Sequence, residues 1–286
     1  MSVLGLGTGL IYPNLMGGDV FIPNGLSSLF DGSDDRADVA HYTGLTPGAN
    51  SASGFSVSIW FNTNHSLLDD LKQDKIISKA GSAGNEWAMV IDSQLRPRFF
   101  LYFDNDTSNR YRIFMSSTIS SVGAWNHIVF TWDATIATND TSAVVMYLNG
   151  VRGDASSGAT VNAPSSTGLV VDEGSASVNL TTQNDGAGTG AQTRYKGFID
   201  EVSIFNATLT DAAVAEAYNS GCPIDMRTST FGSNLQGYWR MGEGDGVDGD
   251  ADATITNLSS ASGAEDMTLV NGAEISSTTY AGVGIC

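Results

Sequence analysis

The sequence predicts an all-β protein built as a sandwich of two antiparallel sheets, with one short helix and an extension at each end. Short runs in which apolar and polar residues alternate with a period of two indicate strands that bury one face. The segments between these runs are rich in glycine, serine, threonine, asparagine and aspartate, with 33 glycines but only 6 prolines in 286 residues. Such a composition is typical of turns that connect strands.

The clearest predicted strand covers residues 54–63, where every second residue is apolar and the intervening positions include Trp60. Further strands are predicted at 98–103, 110–115, 125–132 and 143–148, which end in turn signals such as Asp104-Asn105 and Asn149-Gly150. Two brief apolar pieces, at 169–171 and 178–180, lie in a stretch of small polar residues and are predicted as loops or edge strands.

One segment, residues 209–220, is alanine-rich and predicts a short helix. Thr210 is a suitable N-cap, Asp211 favours the first turn, and Gly221 ends the pattern. The predicted organisation is an N-terminal arm at 1–27, a sandwich at 28–220 and a C-terminal extension at 221–286 that completes or flanks the sandwich. The arm is apolar without a regular period, so we expect it and the extension to carry assembly contacts.

The net charge of −18, from 31 acidic against 13 basic residues, disfavours phosphate backbones and anionic lipid surfaces. We therefore predict no nucleic-acid partner. No run of about 18 apolar residues is present, so we also predict no membrane insertion. The two cysteines, Cys222 and Cys286, are too few for a disulfide framework. The first residues lack the pattern of a secretory signal, which favours release by assembly and lysis or a mature chain that begins elsewhere.

Several segments occur in a fixed order that resembles the laminin-G-like, concanavalin A-like lectin domain family. They are SLFDGSDDRADV at 28–39, FSVSIWFNT at 55–63, KIISKAG at 75–81, WNHIVFTWD at 125–133, VVMYLNGVR at 144–152 and YKGFIDEVSIFNATLT at 195–210. The resemblance covers residues 28–220 and implies a concanavalin A-like (laminin-G) jelly-roll β-sandwich. With its arm and tail, the chain also resembles virion proteins of tailed, especially marine, bacteriophages.

A calcium site is the metal chemistry that this resemblance implies. Family members hold calcium near an aspartate that matches Asp200 and near the Asp-Gly loop, which here includes Asp31 and Asp34. Simple alternation in residues 197–205 places Asp200 on the same side as the apolar Val202 and Ile204, so its carboxylate needs a partner. The alternative is that Asp31 and Asp200 accept backbone N–H bonds or pair with Arg36 or Arg194.

Catalysis has little support in the sequence, and we predict that the protein is not an enzyme. Only three histidines are present, and neither a G-x-S-x-G elbow nor an H-E-x-x-H motif occurs. The Glu-x-Asp-x-x-Glu strand motif of hydrolases with this fold is also missing. Aromatic rings are common sugar-stacking platforms. Trp60, on the polar side of its strand, and Trp87, which follows a loop, are the candidates for glycan binding.

Two functions fit these observations. The first is a structural virion protein of a bacteriophage, a capsid decoration or fibre component on the virion surface that uses its sandwich for attachment or glycan binding. Its expected partners are other virion proteins, further copies of itself as a homo-oligomer, and cell-surface glycans. The second is a free, extracellular carbohydrate-binding or adhesion module. The fold cannot decide between them, because a fold does not fix a function.

Overall fold

Two antiparallel sheets packed face to face make up the fold. The computed structural model describes residues 25–48, 54–64, 74–80, 85–103, 106–119, 122–165, 174, 176–181 and 195–278. The first part of the described chain forms strands β1 Ser27–Asp31, β2 Arg36–Val39, β3 Phe55–Thr63, β4 Asp74–Ala80, β5 Asn85–Ile91, β6 Pro97–Phe103, β7 Asp106–Phe114, β8 Trp125–Trp132 and β9 Val144–Leu148. It continues with β10 Val151–Gly153, β11 Thr160–Asn162, β12 Val178–Leu180, β13 Lys196–Phe205, helix α1 Asp211–Tyr218, β14 Leu235–Trp239, β15 Thr254–Ile255, β16 Met267–Val270 and β17 Glu274–Ser276.

The strand order defines an eight-stranded and a nine-stranded sheet within the described residues. The first runs β10-β9-β8-β3-β13-β1-β17, with β14 also paired to β13, and the second runs β11-β7-β6-β5-β4-β12-β2-β16-β15. Apolar side chains from the inner faces fill the space between them. Phe99 of the nine-stranded sheet and Phe130 of the eight-stranded sheet stack with ring centroids 3.6 Å apart. The all-β sandwich predicted from the sequence is confirmed.

Most of the predicted elements are present. The strands predicted from alternation correspond to β3, β6, β7, β8 and β9. Helix α1 begins where the N-cap places it, since the Thr210 side chain accepts a hydrogen bond from Ala213 N. It ends at Tyr218, and the C-cap residue Asn219 is left-handed with φ 42°. No helix in the described part of the chain is long and apolar enough to cross a bilayer. Residues 1–24 of the arm and the apolar piece at 169–171 lie outside the described residues.

Strand β12 corrects one prediction. Residues 178–180 were expected in a loop or at a sheet edge, but they lie between β4 and β2 inside the nine-stranded sheet. Val178 and Leu180 are buried in the core, while Asn179, on the other face, donates a hydrogen bond to Asp38 at 2.7 Å. A strand of three residues surrounded by small polar residues is too short for its period to be recognised in the sequence.

A bulge in β13 corrects a second prediction. The pairing between β13 and β3 shifts between Asp200 and Ser203, and Glu201 has φ 49°. Ile199 and Val202 both lie in the core between the sheets, so the two residues between them lie on the outer face. Asp200 therefore does not share a face with Val202, because the extra residue resets the alternation that the sequence pattern assumes.

The chain after α1 contributes strands to both sheets. β14 pairs with β13 and β17 pairs with β1 in the eight-stranded sheet, while β16 pairs with β2 in the nine-stranded sheet. Directly after β14, Arg240 donates to Glu201 Oε1 at 2.8 Å, and both side chains are almost fully buried. Tyr238 donates to the other oxygen of Glu201. The extension and α1 thus cover part of the outer face of this sheet.

Glu243 connects this extension to the beginning of the described chain. Its Oε1 accepts hydrogen bonds from Gly25 N, at 2.6 Å, and from Leu26 N. Its Oε2 is buried and accepts no hydrogen bond from a described residue. Burial raises the pKa of Glu243 to about 7. The folded protein therefore binds this proton more tightly than the unfolded chain does.

Glu243 is expected to make stability depend on pH near neutrality. A carboxyl group whose folded pKa is raised stabilises the fold below its unfolded pKa, and that contribution is lost as pH rises through about 7. Glu243→Gln removes the titration but keeps an oxygen acceptor. From pH 5 to pH 8, the free energy of unfolding of the wild type should fall by roughly 2 kcal/mol relative to Glu243→Gln. Urea denaturation at each pH measures this free energy, and Glu265→Gln, at an exposed site, is the control. Parallel pH profiles for all three proteins would contradict the raised pKa of Glu243.

Candidate functional site

Three carboxylates meet at the turn between β1 and β2. Oxygens of Asp31, Asp34 and Asp35 lie within 4.8 Å of one another; the first two side chains are exposed and the third is buried. The turn is tightened by hydrogen bonds from Asp31 N to Asp35 Oδ2 at 2.7 Å and from Ser33 N to Asp31 Oδ1 at 2.6 Å. Gly32 has φ 81°, and a Cβ there would lie 2.8 Å from Lys196 Cβ. A glycine is therefore required at this position.

Asp200 does not join this cluster, which corrects the set predicted from the resemblance. The pairing of β1 with β13 places Asp31 opposite Lys196, four residues before Asp200 in its strand. At the rise of an antiparallel strand this separation is about 13 Å. Asp200 Oδ1 instead accepts a hydrogen bond from Glu201 N at 2.7 Å, one of the alternatives that the sequence left open. Asp35 takes its place beside Asp31 and Asp34.

The acidic turn fits a divalent cation by its chemistry. Calcium takes oxygen ligands at about 2.3–2.6 Å, so two ligand atoms on one ion can be up to about 5 Å apart. The spread of 4.8 Å among the three carboxylates is within that limit. Burial, followed by the neighbouring Asp31 and Asp34, raises the pKa of Asp35 against an opposing backbone hydrogen bond. A bound cation would relieve this repulsion.

The two tryptophans predicted as glycan platforms are buried, so that prediction is wrong. Trp60 is 2% exposed, and its ring stacks with those of His127 and Tyr218, at centroid distances of 4.8 Å and 5.8 Å. Trp87 is fully buried in the core and donates from Nε1 to Leu45 O at 3.2 Å. The polar face of β3 is covered by the end of α1, and no sugar ring can reach either indole.

Ser58 and His127 form a pair that resembles part of a catalytic dyad. Ser58 Oγ lies 2.8 Å from His127 Nε2, but both residues are fully buried. Burial lowers the pKa of His127 to about 3, so its imidazole is neutral at ordinary pH. His127 Nδ1 is buried and has no hydrogen-bond partner among the described residues, so no described acceptor completes a triad behind the imidazole. His127 thus packs inside the protein against Trp60 and Tyr218.

An open cleft lies on the outer face of the eight-stranded sheet, beside the start of α1. Its volume is about 440 Å³, within the range of small-molecule sites. Thr131 of β8, Val145 and Tyr147 of β9 and Arg152 of β10 line one side. The register places Thr131 beside Val145 and Tyr147 beside Arg152, so these side chains form a continuous floor.

The walls of the cleft come from the loops after β8 and before α1. They are lined by Asp133, Ile136, Ser142, Ala143, Thr208, Leu209, Thr210, Asp211 and Ala212. The second loop is held against the first because Thr208 Oγ1 donates to Trp132 O at 2.9 Å. A Cβ on Gly54 would lie 2.0 Å from Thr208 Oγ1, so only glycine permits this approach.

Two carboxylates give the cleft rim its acceptor character. Asp133 Oδ1 accepts from Thr135 N at 2.8 Å and Thr135 Oγ1 at 2.6 Å, while its Oδ2 accepts no hydrogen bond from a described residue. Asp211 Oδ1 accepts from Tyr147 and Arg152, and these hydrogen bonds lower the pKa of Asp211. Both groups are therefore available as anionic acceptors next to the Thr131 and Ser142 hydroxyls. This site could not be recognised in the sequence, because its residues come from four separate segments.

Comparisons with known proteins agree with this architecture. The model of the concanavalin A-like lectin/glucanases superfamily matches residues 31–215. No curated protein matches the sequence significantly. A candidate carbohydrate-binding protein from Bacteroides ovatus has a similar structure, with a TM-score of 0.53, 14% identity and coverage of 87% of this chain and 59% of that one.

Two further solved structures are similar to this chain at low identity. Botulinum neurotoxin type C, whose cell entry depends on interaction with two ganglioside molecules, gives a TM-score of 0.50 and 16% identity over 71% of this chain and 44% of the toxin chain. A heptameric pentraxin from Limulus polyphemus gives a TM-score of 0.47 and 14% identity over 68% of this chain and 82% of the pentraxin chain. The chain thus spans less than two thirds of the Bacteroides and toxin proteins, and these identities show the fold alone.

Calcium is expected to stabilise the fold through the acidic turn. At a calcium concentration 100 times its dissociation constant, binding contributes about 2.7 kcal/mol to the free energy of unfolding. Addition of a chelator should therefore lower the melting temperature of the wild type, and Asp35→Asn should reduce the difference. Asp248→Asn, which changes a carboxylate that also accepts one backbone N–H, is the matched control. Identical melting curves with calcium and with chelator would refute the site.

Proposed function

Because the chain belongs to the concanavalin A-like lectin/glucanase superfamily, we propose that it is a non-catalytic attachment protein whose cleft beside α1 binds a neutral glycan. In this proposal the protein is a decoration or fibre component on a bacteriophage virion surface. The observation that carries the glycan part is the open cleft of about 440 Å³, in which carboxylate and hydroxyl groups lie beside apolar side chains.

The chemistry of the cleft suits an uncharged sugar. Neighbouring sugar hydroxyls can donate hydrogen bonds to Asp133 Oδ2 and to Asp211, and charged acceptors make the stronger bonds. The Thr131 and Ser142 hydroxyls can both donate and accept. Val145 and the other apolar lining groups can contact the carbon face of a sugar ring. An acidic sugar would meet two carboxylates at the rim, so the cleft discriminates against it.

The proposal that the protein is not catalytic is supported by the burial of side chains that could otherwise act on a substrate. The Ser58 and His127 pair is inaccessible to a substrate. Asp200 and Glu201 are adjacent carboxyl groups, yet both are fully buried, and Glu201 is held by Arg240 and Tyr238. Incubation with the bound glycan should therefore release no new reducing ends.

The proposed place on a virion is supported by the sequence resemblance to bacteriophage virion proteins and by the apolar arm. The expected partners of the protein are other virion proteins or further copies of the chain. Electron microscopy of purified bacteriophage particles labelled with an antibody against the protein tests the virion location. The particles are expected to carry the label. A protein found only free in the medium would instead favour the extracellular adhesion module.

Loss of one rim carboxylate is expected to weaken glycan binding strongly. Asp133→Asn keeps an acceptor for Thr135 N but removes the anionic oxygen, and a hydrogen bond to a charged group contributes about 1.5–3 kcal/mol. The dissociation constant for the best neutral oligosaccharide found on a glycan array should rise by roughly 10-fold to 100-fold by calorimetry.

Asp245→Asn is the matched control, because Asp245 Oδ1 also accepts from the N and Oγ1 of one threonine, Thr256, and lies outside the cleft. It should leave the affinity unchanged. An equal loss of affinity in both variants, or no loss in Asp133→Asn, would show that the cleft is not the glycan site.

A further inference from the structure

Arginine and aromatic side chains form a patch on the outer face of the nine-stranded sheet, on the opposite side of the sandwich from the cleft. The residues alternate along two neighbouring strands, and we call them the arginine–aromatic patch: Arg98, Phe100 and Tyr102 of β6, and Arg110, Arg112 and Phe114 of β7. Their neighbours in sequence, such as Phe99 and Tyr111, point into the core instead. All members except Phe100 are partly exposed.

The register brings these side chains into contact across the two strands. Arg98 is paired with Phe114, Phe100 with Arg112, and Tyr102 with Arg110. The Arg98 guanidinium lies 4.4 Å from the centre of the Phe114 ring. The Arg110 guanidinium lies 5.2 Å from the centres of both Phe100 and Tyr102. Such cation–π contacts hold the guanidinium groups in place on the sheet.

Two of these arginines differ from every other arginine in the described part of the chain. Six arginines make an ion pair with a carboxylate within 4.0 Å: Arg36, Arg96, Arg98, Arg152, Arg227 and Arg240. Arg110 and Arg112 make no ion pair with any described residue. That no described carboxylate pairs with them is notable because the chain carries 31 acidic residues and only 13 basic ones.

The hydrogen bonds of Arg110 are also incomplete. Its Nη1 donates to Tyr102 Oη at a long 3.4 Å, and its Nε is buried without a hydrogen-bond partner among the described residues. An unsatisfied buried donor costs free energy unless a ligand or water satisfies it. A planar guanidinium is suited to bidentate pairing with carboxylate or sulfate oxygens.

We propose that the arginine–aromatic patch is a second carbohydrate site, specific for acidic sugars whose carboxylate or sulfate groups pair with Arg110 and Arg112. The two arginines are two residues apart on one face of β7, about 7 Å along the strand. The exposed parts of Tyr102 and Phe114 provide flat apolar surfaces on which sugar rings can stack. This site is independent of the neutral-glycan cleft, which lies on the other sheet.

The aromatic rings favour a sugar over another acidic partner. An acidic surface of a second copy of this chain would also complement the two arginines, but its carboxylates would not use the neighbouring rings. The overall charge of −18 opposes any polyanion at long range. At physiological salt that repulsion is screened beyond about 8 Å, whereas the contacts in the patch remain.

The test compares two variants with the same change in net charge. Arg110→Gln with Arg112→Gln removes the two unpaired arginines, and Arg36→Gln with Arg227→Gln removes two arginines that pair with aspartates elsewhere. The probes are an oligogalacturonate, a sulfated dextran oligosaccharide and an unmodified dextran oligosaccharide of equal length, measured by calorimetry in 0.15 M salt. Melting curves establish that each variant is folded.

The wild type should bind at least one acidic probe and bind the unmodified dextran at least tenfold more weakly. The Arg110 and Arg112 double variant should lose at least tenfold in affinity for that acidic probe, and the control double variant should change less than twofold. Asp133→Asn should leave acidic binding unchanged, which separates this proposal from the cleft.

Three results would overturn the proposal. Retained affinity in the Arg110 and Arg112 variant would show that the patch is not the site, and an equal loss in the control variant would show an effect of net charge. The third is self-association of the wild type, seen by sedimentation without any glycan and lost in the Arg110 and Arg112 variant. That result would assign the patch to contacts between copies of the chain.

Discussion

The ion pair between Glu201 and Arg240 is the interaction on which the functional face of the molecule depends. The bulge in β13 places Glu201 on the outer face of the eight-stranded sheet, where it is fully buried. Arg240 and Tyr238, on either side of the end of β14, bind its two oxygens. Breaking a buried pair by removing one partner typically costs about 3–5 kcal/mol, because the other charge is left uncompensated. The bulge therefore requires the C-terminal extension to lie over this sheet.

The positions of the extension, α1 and the cleft on that face depend on this contact between β13 and the extension. β1 and β14 pair with successive parts of the same edge of β13, so the extension is aligned by the strand that carries the bulge. Helix α1 and β14 then share an apolar cluster that includes Val214 and Tyr238. With α1 fixed, its first turn and the preceding loop form one wall of the cleft. The arginine–aromatic patch lies on the outer face of the other sheet, where all of its members except Phe100 are partly exposed.

The sequence predicted the architecture well because strand period and helix capping are local signals. The alternation in β3 and the Thr210 cap depend only on neighbouring residues. The sites were harder to predict, because they depend on register. The extra residue at the bulge placed Asp200 on the outer face. Trp60 alternates with apolar residues, which indicated exposure, but Tyr218 at the end of α1 packs on its ring. The aspartates at 31 and 34 were found because they belong to one turn, whereas the cleft and the patch combine distant segments.

The most direct test of the cleft as a glycan site is to map where a neutral glycan contacts the protein. Amide chemical shifts of the isotope-labelled protein would be followed during titration with the best neutral oligosaccharide from the array. We expect the perturbed amides to cluster around the cleft, at Thr131, Asp133, Ser142 and residues 208–212, and the amides of β6 and β7 to stay unchanged. Saturable perturbations confined to another surface would contradict the assignment of the cleft as the glycan site.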